Sequence, residues 1–429
     1  MITVATALGL ELDEELRRDM LPARYSFLVD DESSLPVEPV LLWLCKQYPP
    51  KPRMWKANTV ECAAHDLCDW WRYLEREGRF WCDASSDDLS EFRDSLLGSV
   101  SPRTHRPYAA KTIARRINTI GTFYEWALEK GLFRGEPLDP KQLKPVLRAI
   151  DDDALAHTGG GVREVAVSTT APRFSESADE RVHPMESKTW LAVAKSLGPL
   201  PSQRDAGIPG CCRNRLAAEI SIWTGMRLDE VAGLTTYQLL NLRFSDDSIE
   251  VVPLKISRTK GLRPRTILFP SHLIAELHRY IDSERREAVE VGRRFGLKKD
   301  TGCLFVNGLD SRNHAGKPIR GYTLSGAFRD AVITCGFVRE EKRVDPLTEE
   351  SYLASCAAHC FHDLRHTFAV WLYQAEKAAG NAEPWKVVQA RLGHRYLKTT
   401  TDIYLRIVDI FRAKVNDNLY RFLRMTFGT

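Results

Sequence analysis

Five short strings in the second half of this 429-residue sequence carry side chains suited to chemistry on a phosphate. Thr224-Gly-Met-Arg-Leu-Asp-Glu sets Arg227 after a glycine turn at a helix start, with Glu230 three residues on. A helix brings positions i and i+3 to one face, so the carboxylate can orient the guanidinium. Lys260 sits beside Gly261 in a β-turn, which pushes its amine outward. His362-Asp-Leu-Arg365 sets two cationic groups on one helical face, where they repel unless they share an anion. Asp363 is a carboxylate for the start of that helix. Leu392-Gly-His394 follows, and Tyr404 comes ten residues later.

Each string alone has a plainer reading: a surface ion pair, a solvated turn lysine, a core tyrosine. Together they make a suitable set for phosphodiester transesterification. Two arginines can hold the non-bridging oxygens bidentately. A tyrosine hydroxyl, with an ordinary pKa of about 10, is activated as a nucleophile when cations favour its phenolate. A lysine or histidine can protonate the leaving 5′ oxygen. No carboxylate cluster suited to a divalent metal accompanies the set, so the expected route uses no metal and no cofactor.

The elements that must position these residues are mostly helical. Ala57–Arg76 has apolar residues at three- and four-residue spacing (Val60, Ala64, Leu67, Trp71, Leu74). A helix opens near Ser86, with Ser86 or Asp87 as its N-cap. A third covers Ala109–Lys130, closed by Gly131. Residues 151–186 hold an Asp triplet, a Gly triplet and a Ser/Thr/Pro-rich run, and read as a linker. Beyond it the pattern is helical again, broken by a strand region over Ser248–Phe269 with Lys260-Gly261 between its two arms. Glu284–Lys299 reads as a solvated helix or insertion. The expected organisation is therefore an acidic extension (1–35), a helical domain (36–150), a linker (151–186) and a second domain (187–429). The expected fold class is mainly α with a small antiparallel β-sheet.

The charge balance has structure. The chain is +4 overall, but residues 1–100 carry 11 basic and 19 acidic side chains, a net of −8, so the remainder holds +12. Two stretches lack any acid. One carries Arg103, Arg106, Lys111, Arg115 and Arg116, the other Lys255, Arg258, Lys260, Arg263 and Arg265. Such stripes suit a polyanion such as double-stranded DNA. No run approaches the roughly 18 apolar residues of a membrane span. The first residues lack the basic lead of a signal peptide. Ten cysteines without a small-scaffold spacing read as reduced thiols. A soluble cytoplasmic protein is expected. Cys356, His359 and Cys360 lie close together but lack a second pair for zinc, so buried thiols are expected there.

The ordered set Arg227, Lys260, His362-x-x-Arg365, Leu392-Gly-His394 and Tyr404 resembles the tyrosine recombinase (phage integrase) family over roughly residues 187–415. Residues 57–137 resemble that family's core-binding domain, most clearly in Lys111-Thr-Ile-Ala-Arg-Arg-Ile-Asn-Thr-Ile-Gly. The resemblance implies a site-specific recombinase that cuts and rejoins DNA without ATP or metal. Tyr404 would form a 3′-phosphotyrosyl link. Arg227, Arg365 and His394 would hold the phosphate, Lys260 would be the general acid and His362 a base or supporting group. Lys255 is a weaker candidate for the lysine role. It also implies a tetramer on DNA, linked by exchange of the amphipathic C-terminal segment around Ile407–Phe422, with accessory proteins possible. The added segments (1–35, 151–186 and about 284–320) point toward a mobile-element integrase. The competing readings are a catalytically silent DNA-binding accessory protein and a type IB topoisomerase.

Overall fold

The computed structural model describes residues 1–8, 20–52, 54–147, 162–173, 183–242, 251–256 and 264–393. The chain divides into two compact units. One comprises residues 1–148, 159–175 and 342–352. The other comprises residues 149–158, 176–341 and 353–429.

The first unit is built on apolar helical faces. Helices α1 (Glu38–Gln47), α2 (Ala57–Arg76), α3 (Ser86–Leu97) and α4 (Ala110–Glu129) surround an aromatic core. Val60, Ala64, Leu67, Trp71 and Leu74 are all buried, as the spacing along α2 requires. Ile113, Ile117, Ile120, Phe123, Tyr124 and Ala127 do the same on α4. Trp70 donates its indole N–H to the Tyr124 hydroxyl at 3.1 Å, and that hydroxyl donates to the Trp81 carbonyl at 2.8 Å. The two large rings thereby keep their polar atoms satisfied inside an apolar core. Helix α3 starts one residue earlier than the sequence suggests. Ser85 is its N-cap, because Ser85 and Asp88 form a reciprocal capping box.

Two segments expected to stand apart belong to this unit. Residues 1–35 contribute β1 (Ile2–Thr6) and β2 (Ser26–Asp30), which pair antiparallel and rest on α2. Tyr25 and Leu28 are fully buried there. The acidic charge that marks 1–35 as an extension therefore hides an apolar strand pair. Within the expected linker, β4 (Val162–Ser168) pairs antiparallel with β3 (Lys141–Leu147), from Lys141↔Ser168 to Leu147↔Val162. Alternating valines in β4 suit a strand. The Ser168 hydroxyl then donates to the buried Asp139 carboxylate at 2.6 Å.

The second unit centres on α7 (Arg213–Thr224), which follows α5 (Ser187–Leu197) and the short α6 (Pro201–Asp205). Most of α7 is buried, and its polar positions are paired. Glu219 accepts from Arg215 at 2.6 Å and from the Trp223 indole at 2.8 Å. After α7 come α8 (Leu228–Ala232), α9 (Thr236–Leu240) and the antiparallel pair β5 (Val251–Ile256) and β6 (Arg265–Pro270). Helix α10 (Ser271–Tyr280) runs through a π-turn at Ile281–Arg285 into α11 (Arg286–Arg294). Then follow α12 (Gly321–Thr334), the paired strands β7 (Val338–Val344) and β8 (Ser351–Ala357), whose residues 342–352 count with the first unit, α13 (Phe361–Ala378) and α14 (Pro384–Leu392).

Two further expectations change. The charged stretch at 284–299 is not simply solvated. Glu284 is buried and accepts the Cys212 amide at 2.6 Å, securing the start of α7. Arg285 is buried in a fork with Asp300, at 2.7 and 2.9 Å. Cys356 is half-buried and Cys360 exposed, because both lie at the edge where β8 gives way to α13. No helix among the described residues is long and apolar enough to cross a membrane.

If residues 20–35 are part of the first unit's core, Leu28→Ala should lower stability by roughly 2–5 kcal/mol, the cost of emptying a buried leucine site. Chemical denaturation measures this. A change below about 0.5 kcal/mol, typical of surface substitutions, would return this segment to the status of an independent extension.

Candidate active site

The geometry begins with a glycine. Gly225 ends α7 in the left-handed region at φ 68°, and a Cβ there would lie 2.5 Å from the Phe368 ring. Only glycine permits both that backbone and that approach. The chain then reverses, and Arg227 becomes the N-cap residue of α8. Its backbone N–H donates to Glu230 Oε2 at 2.9 Å and its guanidinium to Glu230 Oε1 at 3.3 Å. The i, i+3 bracing expected from the sequence is present. The Arg227 side chain is 27% exposed, whereas that of Glu230 is 2% exposed.

Arg365 approaches the same turn from α13. It is 2% exposed, and its guanidinium donates to the Gly225 carbonyl and, at 2.7 Å, to the Leu392 carbonyl. One side chain thus ties the Arg227 turn to the C-terminus of α14. Gly393 caps α14 at φ 66° and immediately precedes His394. At that helix end the last carbonyls lack intrahelical partners, so an arginine suits them in hydrogen bonding and in charge.

His362 is exposed in the first turn of α13, and its ring meets that of His366 edge-on at 4.7 Å. Asp363 accepts the Cys360 amide at 2.8 Å and so holds the helix start, as expected. His362 and Arg365 do not share an exposed face, since α13 turns Arg365 into the interior. Lys260, His394 and Tyr404 lie outside the described residues, as do Arg258, Arg263 and the C-terminal segment.

The basic stripes divide. Lys255 is exposed on β5, opposite Thr266. Arg103, Arg106 and Lys111 are exposed in the first unit. Arg115 and Arg116 are not simple solvent-facing cations. Arg115 pairs with Asp66, and Arg116 reaches Asp69 at 2.9 Å while its guanidinium lies 4.8 Å from the Tyr108 ring centre. Burial pushes the Asp66 carboxyl up to about 6 despite these cations. The larger correction is Arg265. Its side chain is 9% exposed, too buried for the groove contact expected of it. It donates to Glu230 Oε2 at 2.6 Å, to the Arg391 carbonyl at 3.1 Å and also to the Leu392 carbonyl. A signal for this was available in the sequence: Ile267 and Phe269 face the core, and Arg265 has the same parity along β6.

Three guanidiniums therefore gather near the Gly225 turn, two of them on one carboxylate. Arg227 and Arg265 share Glu230, while Arg265 and Arg365 share the Leu392 carbonyl. Burial, and then proximity to Arg227, depress the Arg265 pKa, while Glu230 opposes both. An excess of buried or half-buried positive charge around a glycine turn is an arrangement that an anion stabilises.

His366 gives this site a pH dependence. Burial, then the neighbouring His362, lower its imidazole from 6.5 to about 4, with Arg365 and His183 acting in the same direction and Asp363 against them. A folded-state value below the unfolded one means that the unfolded chain binds the proton more readily. Stability from this group is present above pH 6.5 and is lost as pH falls toward 4, by about 3 kcal/mol in full. Thermal unfolding across that range should show the loss, and His366→Gln should flatten it. An unchanged acid slope in the variant would assign the loss to other groups.

Residues 203–409 match the phage integrase family. Over 361 residues the chain is 24% identical to the tyrosine recombinase XerC of Lactobacillus delbrueckii subsp. bulgaricus, covering 83% of this chain and 90% of that protein. Over 354 residues it is 24% identical to the tyrosine recombinase XerD of Agrobacterium fabrum, covering 82% and 85%. Its fold is similar to that of the XerH site-specific recombinase in a post-cleavage complex with palindromic difH substrate, with a TM-score of 0.50 and 16% identity over 86% of this chain and 82% of that one. The Arg227 turn, Arg365 and Gly393 all lie inside the span that matches the phage integrase family.

Proposed function

We propose that this protein is a site-specific DNA recombinase that cuts and rejoins strands through a covalent 3′-phosphotyrosyl intermediate. The observation that carries the reading is the convergence of Arg227 and Arg365 on the Gly225 turn, with Arg365 also gripping the peptide that leads to His394. Phosphoryl transfer depends on positioning and on stabilising charge spread over the equatorial oxygens, and fixed guanidiniums supply both.

In this reading the Tyr404 oxygen attacks the scissile phosphorus as the bond to the 5′ oxygen breaks. Lys260 gives that oxygen its proton. Arg227, Arg365 and His394 hold the non-bridging oxygens, Glu230 braces Arg227, and His362 supports the site as a base or neighbour. A free 5′ hydroxyl of a partner strand then attacks the phosphotyrosine and releases Tyr404. One phosphodiester replaces another, so no ATP is consumed. Among the described residues of the basic stripes, Arg103, Arg106, Lys111 and Lys255 are exposed cations suited to backbone phosphates. The protein acts as a tetramer on paired DNA sites, with the C-terminal segment exchanged between protomers. Movement of a mobile element is the form of the reaction that the added segments favour.

A suicide substrate, nicked beside the scissile phosphate in a site taken from DNA flanking the gene, tests this directly. Wild-type protein should form a covalent protein–DNA adduct, and Tyr404→Phe should form none. Arg227→Ala should slow adduct formation by at least about 100-fold, the scale for removing one transition-state donor. DNA affinity should change by no more than about threefold, because one phosphate among many is affected. Retention of the adduct in Tyr404→Phe, or no adduct on any DNA the protein binds, would overturn the reading. Recombinant joints between two sites, rather than plain relaxation, would separate it from a topoisomerase.

A further inference from the structure

We propose that Arg265 is a positioning residue of the strand-cleavage centre, acting through Glu230 to keep Arg227 available to the scissile phosphate. The inference rests on the recombinase reading above and adds a member to its site.

Three observations support it. First, Arg265 is committed to protein partners. Its guanidinium spans Glu230, at 2.6 Å, and the last carbonyls of α14, those of Arg391 and Leu392. A side chain 9% exposed and held at both ends is poorly placed to follow a DNA groove. Second, the glycine before His394 accommodates it. A Cβ on Gly393 would lie 2.7 Å from Arg265 Cδ. The residue at 393 must therefore tolerate φ 66° and also leave room for this arginine. Third, Glu230 is divided between two arginines. Oε2 accepts from Arg265 and from the Arg227 amide, while Oε1 meets the Arg227 guanidinium at a longer 3.3 Å.

The consequence is a competition. A carboxylate 2% exposed needs a cation, and Arg265 satisfies most of that need. The Arg227 guanidinium is then only loosely held, with charge and donors available for a phosphate oxygen. Without Arg265, Glu230 would turn fully onto Arg227, neutralising it and drawing it toward α8. The same loss would release the α14 carbonyls that set the backbone leading to His394. Lysine cannot substitute well, because a single ammonium lacks the planar fork that reaches the carboxylate and two carbonyls together.

The test compares Arg265→Gln, Arg265→Lys and the double variant Arg265→Gln/Glu230→Gln in the full chain, with Arg227→Ala and Tyr404→Phe as references. DNA affinity, melting temperature and the rate of adduct formation at saturating DNA are measured for each. Arg265→Gln should slow adduct formation by about 100-fold, the scale of a lost transition-state donor, with affinity within about threefold of wild type. Arg265→Lys should remain at least about 10-fold slow. Removing the Glu230 charge in the double variant should recover about 10-fold over Arg265→Gln, because no carboxylate is left to capture Arg227. A merely structural arginine would not show that recovery.

Cleavage near the wild-type rate in Arg265→Gln or Arg265→Lys, with Arg227→Ala inactive, would overturn the proposal and leave the recombinase reading intact. Affinity falling in step with rate would instead make Arg265 a DNA contact. No recovery in the double variant would also overturn the proposal. If Arg265→Gln is unfolded at the assay temperature, the folded Arg265→Lys decides: a wild-type rate overturns the proposal, and a slow rate at full affinity sustains it. An adduct in Tyr404→Phe would remove the recombinase reading itself.

Discussion

A carboxylate withdrawn from water between two guanidiniums sets the geometry of the second unit's site. Glu230 takes the Arg227 amide and side chain on one side and Arg265 on the other. Such a group is costly to desolvate, and the attraction of its partners offsets that cost only when their placement is tight. The interaction therefore acts more as a specification of position than as a source of stability. Its demands reach outward. Arg227 must begin a helix, so α7 must end two residues earlier in a left-handed glycine. Arg265 must point inward from β6, so Gly393 must leave it space. Arg365 then joins the two glycine turns from beneath, through the carbonyls of Gly225 and Leu392. Three elements distant in sequence are registered to one another by polar contacts that only arginine's fork can span.

Much of this was legible in the sequence because it depends on short-range spacing. The i, i+3 relation of Arg227 and Glu230 and the apolar stripes of α2 and α4 follow from helix geometry alone. The two arms around Lys260 follow from β-branched runs on either side of a turn, and β5 and β6 occupy them. The features that depart from expectation share a physical cause: a charged residue reads as a mark of the surface in sequence, yet here it is buried with a partner. Arg265 lies in a basic stripe, yet its parity along β6 puts it with Ile267 and Phe269. Glu284 and Arg285 lie in a charged run, yet both are buried with partners at the start of α7 and at Asp300. Residues 1–35 are acidic, yet Tyr25 and Leu28 enter the core. Long-range pairings, such as β3 with β4 across a glycine-rich stretch, have no local signature beyond alternating valines.

The acidic first hundred residues also take on physical content. Asp88 caps α3 and pairs with Arg79, and Asp66 lies under Arg115, with Arg116 at its other oxygen. Part of the negative excess is thus spent on internal order. Of the two arginines at the centre of the first basic stripe, Arg116 is further restrained by Asp69 and Tyr108. Restraint of this kind does not abolish a role beside DNA. It lowers the entropy lost when such a side chain is ordered, at the expense of its net charge.

The two units thus use arginine–carboxylate contacts to opposite ends. In the first, Asp66 and Asp69 balance Arg115 and Arg116 charge for charge, and the field beyond the helix is weakened. In the second, one carboxylate serves Arg227 and Arg265 while Arg365 is held by carbonyls, which orient a guanidinium without cancelling its charge. Carbonyl partners are the decisive difference, since a dipole can fix a cation and still leave its field directed at a ligand. A centre that must bind a phosphate tightly only as its charge redistributes needs cations that are immobile but unneutralised. The helix C-terminus of α14 and the glycine turn after α7 supply such dipoles.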